Sequence, residues 1–222
     1  MAAFLIAVAF LPQATGEEGD EAASDILFRY EFAVASLVVY AVIAGLTWLV
    51  ARGFGEARDA LGLRSFPRRW LWIALGVTLA SLIVSAALEP VLRAGEEQGL
   101  APDRWREDRT FAFALNACVV VLVVPLVEEL FFRGLGVRVL AFLGGAVAIV
   151  GTALVFALSH GILVGIPALG FFALGLGWVR YRSDSVWPGY VAHAAYNGVG
   201  IVAAVLFALN EEEQARALAF LF

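Results

Sequence analysis

Six apolar stretches, separated by short polar loops, decide what this chain can become. They cover residues 32–51, 70–88, 110–127, 146–164, 168–180 and 188–209. A helix that crosses the hydrocarbon core needs about 20 mostly apolar residues. Open strands in lipid would leave their backbone groups unsatisfied, so helices are the expected form. Composition agrees. Hydrophobic residues make up 62% of the chain and charged residues 16%, against roughly 25% charged in a soluble domain. A water-soluble globule this apolar would expose large greasy patches. The single cysteine, Cys118, excludes a disulfide framework and a Cys-based zinc site. The fold class expected is an all-α, polytopic membrane protein with six to seven transmembrane helices around an intramembrane polar pocket.

The third stretch meets charge at Glu128, Glu129 and Arg133, yet stays helix-like to about Phe142. Trp48, Trp70, Trp72, Trp178, Tyr181 and Trp187 fall near predicted helix ends, as an aromatic belt would. Residues 1–25 read as a short apolar stub followed by an acidic linker. The stub has no basic residue before it and is a poor signal peptide. Residues 26–109 hold the N-terminal helices and loops, 110–210 a helical core and 211–222 a C-terminal tail. Arginines 52, 58, 64, 68 and 69 share one predicted side with Arg180 and Arg182. The positive-inside rule makes that side cytoplasmic. The expected location is therefore a cell membrane.

Ionisable residues inside spans are costly and tend to mark function. Here they are Glu128, Glu129 and Arg133 in the third stretch, His160 near the end of the fourth, and His193 with Asn197 in the sixth. Glu129 and Arg133 are i,i+4 neighbours and can pair on one helix face. Glu128 points about 100° away and must look elsewhere. His193 and Asn197 also share a face. Glu128 lies sixteen residues before Gly144, and His160 fifteen after Gly145, the best turn between two antiparallel helices. Both then sit about 24 Å from that turn. His193 is only five residues past Pro188, a mismatch that a short fifth helix would reduce by drawing its following turn inward. A carboxylate and an imidazole around a water form a general-base apparatus. A second histidine and an amide offer donors to a developing oxyanion. Glu128, His160 and His193 are also a possible zinc ligand set, although no H-E-x-x-H is present.

Three motifs carry a resemblance. Glu128 to Arg133 reads EExxxR, Phe156 to His160 reads FxxxH, and His193 to Asn197 reads HxxxN. In this order on successive apolar segments, they resemble the CPBP family of CAAX-protease and bacteriocin-processing intramembrane endopeptidases, also called Abi. That family includes the type II CAAX prenyl endopeptidases and the lysostaphin-resistance-A-like proteins. The resemblance covers about residues 116–201. It implies a membrane protease in which Glu128 and His160 activate water. His193 and Asn197 would stabilise the oxyanion, and Glu129 and Arg133 would brace the first motif. No cofactor is favoured, with zinc as the alternative. The partners implied are the lipid bilayer and a membrane-associated protein or peptide substrate, with no nucleic acid.

Each feature also has a plainer reading. Glu129 and Arg133 could be a packing ion pair, each histidine an interhelical hydrogen bond, and Asn197 polar glue between helices. Phe131, Phe132 and Phe156 read as packing. Two other functions compete with the endopeptidase: a catalytically silent scaffold or immunity factor of the same fold, and a small transporter. The transporter predicts broken helices repeated in two halves, and no such symmetry is present.

Overall fold

The computed structural model describes residues 25–93 and 105–221. Among them are six main helices and no strand: α1 (Tyr30–Ala51), α2 (Arg69–Leu92), α3 (Glu107–Leu143), α4 (Gly145–Ser159), α5 (Ile166–Ser183) and α6 (Trp187–Leu221). The stub at 1–24 lies outside the described residues. Each expected apolar stretch forms a helix. Four of these are long and apolar enough to cross a membrane: α1 with its trailing turn, α2, α3, and residues Trp187–Asn210 of α6. Helix α4 is apolar but has only 15 residues. Helix α5 carries three glycines and two arginines in its 18 residues. The structure is that of a polytopic helical membrane protein.

The helices bury their small and polar residues and turn bulky apolar ones outward. On α1, Val34, Val38, Val42, Leu46 and Leu49 are exposed, whereas Ala33, Ser36, Tyr40, Thr47 and Ala51 are buried. Lipid is as apolar as leucine, so helix association rests on close packing and hydrogen bonds, which small and polar residues provide. Between α4 and α5 the backbones approach at Gly177, where an added Cβ would lie 3.2 Å from Ile149.

Helix α4 stops earlier than the apolar run suggests. It ends at Ser159, not near residue 164, and His160 is its C-cap. The cause is Gly161, whose φ of +72° reverses the chain in a conformation that costs glycine least. His160 therefore stands at a helix end instead of inside a span.

The two arginine-bearing segments meet on one side of the bundle, as the alternation of helices predicts. Asp184 pairs with Arg64 and with Arg180. Ser185 Oγ donates to the Arg64 carbonyl at 2.7 Å, and Val186 N–H to the Gly62 carbonyl at 3.0 Å. The first segment is not a plain solvated loop. Its short helix Ala57–Ala60 dips inward, and Leu61 is buried against Leu135 of α3. The α5–α6 turn is buried beneath it, with Ser185 and Val186 almost wholly shielded. This inward-drawn turn brings His193, only two helical turns into α6, down to the level of α3's glutamates.

Candidate active site

Helix α3 is not a plain α-helix around its ionisable residues. It widens to π-helix at Val119–Val123, returns to α at Val124–Glu128, and widens again at Glu129–Gly136. Pro125 accounts for the first widening. A proline inside a helix has no N–H to donate and clashes with the carbonyl four residues back. The π turn lets Val124 N–H reach the Val119 carbonyl instead. The next carbonyl in that register, Val120, then faces Pro125 and finds no donor. Asn197 of α6 supplies one, its Nδ2 donating to Val120 O at 2.9 Å. π turns recur at functional sites because they re-aim the side chains that follow. Here those side chains are Glu128, Glu129 and Arg133.

Glu128 takes a hydrogen bond from the Tyr40 hydroxyl of α1 at 3.0 Å on one carboxylate oxygen. Its other oxygen lies 3.7 Å from Nε2 of His193. It also interacts electrostatically with His160. Glu129 and Arg133 form the expected i,i+4 ion pair at 3.2 Å, and both are fully buried. Arg133 donates further to the Ala173 carbonyl of α5 at 3.2 Å and lies 4.4 Å over the Phe156 ring. Glu129 also takes a hydrogen bond from Nδ1 of His193 at 3.2 Å. The imidazole of His193 thus spans the two adjacent glutamates, Nδ1 to Glu129 and Nε2 toward Glu128.

The acceptors dictate the histidine tautomers. A carbonyl can only accept, so His160 must donate Nδ1–H to Phe156 O at 2.8 Å, leaving Nε2 for other work. The carboxylate of Glu129 fixes His193 the same way. Phe156 is more than filler. Its ring lies 4.5 Å from that of His160 and 5.6 Å from that of His193, with Arg133 across it. Phe172 closes His193 from the α5 side at 5.3 Å.

The six motif residues do not form one contact set. Glu128, Glu129, Arg133 and His193 are joined directly. His160 joins them through Phe156 and through its electrostatic interaction with Glu128. Asn197 is anchored on Val120, eight residues before Glu128 on α3. Exposure separates their uses. Glu129 and Arg133 are sealed at 0%, whereas Glu128 keeps 8% and His160 is partly exposed. The latter pair keeps some exposure and the former none.

Tyr40 is the residue that motif reasoning misses. A signal for it exists: tyrosines prefer the membrane interface, and this one lies near the middle of α1. A mid-span phenol invites the question of what it touches.

A zinc ion would draw on Glu128, His160 and His193. Among the described residues no three His, Cys, Asp or Glu side chains come together closely enough to hold a metal ion.

Residues 110–199 match a family model described as type II CAAX prenyl endopeptidase, Rce1-like. No curated protein and no solved structure matches the chain. The matched stretch contains all three motifs and agrees with the family they resemble. This part of the chain is CAAX-protease-like.

Proposed function

We propose that this CAAX-protease-like membrane protein is an endopeptidase that hydrolyses a peptide bond within or beside the bilayer. The observation that carries the reading is the setting of Glu128. It is a nearly buried carboxylate held by Tyr40, flanked by one imidazole and in electrostatic reach of a second, in a segment that matches a protease family. Glu128, with His160, takes a proton from water while the oxygen attacks the scissile carbonyl carbon. The carbonyl electron pair moves to oxygen, and the resulting oxyanion is stabilised by His193 and by the second N–H of Asn197, the first being spent on Val120. Collapse breaks the C–N bond, and the proton held by Glu128 passes to the leaving amine. These steps are written with the chain's own residues and no metal.

The substrate is a membrane-associated protein or peptide. The family name suggests a C-terminal CAAX sequence as one candidate. The arginine-bearing side is read as cytoplasmic, in the plasma membrane of a prokaryote. A catalytically silent scaffold of the same fold is the competing reading.

The deciding experiment compares the proteomes of membranes holding the wild type and Glu128→Gln at equal abundance. General-base removal lowers turnover about 10²–10⁴-fold, so peptides ending at a common cleavage position should vanish in the variant. Identical peptide sets would favour the scaffold. Purified active protein is also stripped with a chelator. Stoichiometric zinc lost together with activity would make His160 and His193 metal ligands.

A further inference from the structure

The i,i+4 spacing accounts for Glu129 as the partner of Arg133, but the two carboxylate oxygens have different surroundings. Oε1 meets both Arg133 and Nδ1 of His193, each at 3.2 Å. Oε2 is buried with no hydrogen-bond partner. It lies against the backbone of α6 at Gly189, where an added Cβ would stand 2.7 Å from it. Gly189 and His193 are i,i+4 and share one face of α6. The glycine therefore leaves the notch into which one end of the carboxylate fits, while the other end holds the imidazole one turn further on.

We infer that Gly189 is a positioning residue: the space left by its missing side chain lets Glu129 hold His193 by its Nδ1–H with Nε2 directed at Glu128. A carboxylate on Nδ1–H orients an imidazole and stabilises its protonated form, and a donor to an oxyanion at Nε2 needs that form. The notch is specific to this position. Elsewhere on α6, a Cβ at Gly198 would make only an ordinary 3.8 Å contact, and one at Gly200 would meet nothing within 4 Å. Glycine inside a helix is intrinsically worse than alanine, so Gly189→Ala should strengthen α6 were it not for Glu129.

The geometry stands by itself, while its effect on turnover rests on the endopeptidase reading. Two measurements keep these apart. The chain has only two histidines, so ¹⁵N-histidine NMR of the solubilised protein shows two imidazoles, with His160→Gln assigning them. The wild type should show His193 as one species carrying Nδ1–H, whether neutral or imidazolium, and Gly189→Ala should shift it to a mixture containing the Nε2–H tautomer. An unchanged His193 signal in Gly189→Ala overturns the inference whether or not the chain is a protease. A shifted signal with no proteolysis by wild type would retain the inference and remove the endopeptidase reading.

In the activity arm, a misplacement of about 1 Å can cost 100-fold, and Gly189→Ala should lose about that much while Gly200→Ala loses nothing. Glu129→Asp draws the carboxylate back from the notch. The Gly189→Ala/Glu129→Asp double variant should therefore be no worse than Glu129→Asp alone. Losses that multiply in the double variant would show that Gly189 acts elsewhere. If Gly189→Ala does not accumulate, abundance becomes the readout. Recovery in the double variant supports the notch, and no recovery overturns it.

Discussion

Helices α2 and α3 both cross the bundle and both grip α6, but with different chemistry. Helix α2 is α-helical from end to end and uses neutral hydroxyls. Thr78 donates to the Ala192 carbonyl at 3.0 Å as well as to its own Ala74 carbonyl, and Ser85 pairs with the Tyr196 hydroxyl at 2.8 Å. Helix α3 is broken by two π stretches and meets α6 through a carboxylate at His193 and a freed carbonyl at Asn197. A hydroxyl that can back-bond to its own helix is cheap to bury and serves as glue. A charge is costly there, and α3 holds three of them in six residues. Where one helix is regular and grips its neighbour through neutral hydroxyls, packing explains it. Where the other is distorted around ionised groups, packing does not.

The comparison breaks most visibly at Arg133. Arg133→Ala strands the Glu129 carboxylate in a site with no exposure, and losing one partner of a buried pair costs about 3–5 kcal/mol. Thermal unfolding and size exclusion of the solubilised protein should show a large loss of folded material. Full abundance with turnover alone abolished would move Arg133 from support into the reaction.

A smaller effect is expected at Asn197. Asn197→Ala leaves the Val120 carbonyl without its donor, at a cost of about 1–3 kcal/mol for a buried unsatisfied group. In a Pro125→Ala background that cost should fall toward zero, because replacing the proline brings back the missing backbone N–H. A stability loss equal in both backgrounds would show that the proline is not what makes Asn197 necessary to the fold.

The smallest effect belongs to α2. Thr78→Val removes one interhelical hydrogen bond of a kind worth about 0.6 kcal/mol on average. Unfolding should shift slightly and proteolysis should be unaffected. A large fall in turnover would mean that α2 positions His193 through Ala192 and does more than hold α6 in place.

The helices and their order were legible because apolar run length is a local property. So was the Glu129–Arg133 pair, since i,i+4 neighbours meet wherever the helix goes. The contact of His193 with two glutamates was only half legible. HxxxN marks His193, but the burial of the α5–α6 turn that brings it to depth depends on residues 57–64, more than a hundred positions away. Tyr40 escaped for the same reason: it lies 88 residues from Glu128, and no spacing rule joins them. The π turns needed Pro125 to be weighed as a helix distorter, not as one more residue in an apolar run.

The strap at residues 57–64, buried at Ala57 and from Ala60 to Gly62, gives the molecule a direction. On its side, Leu61, Ser185, Val186, Glu129 and Arg133 are each almost wholly buried. At the opposite end of α4, Gly161 and Leu163 are exposed and His160 partly so. If the chain hydrolyses peptide bonds as proposed, each turnover consumes one water. On that reading the two ends of the bundle are not equivalent, and the His160 end is the side from which water would reach Glu128.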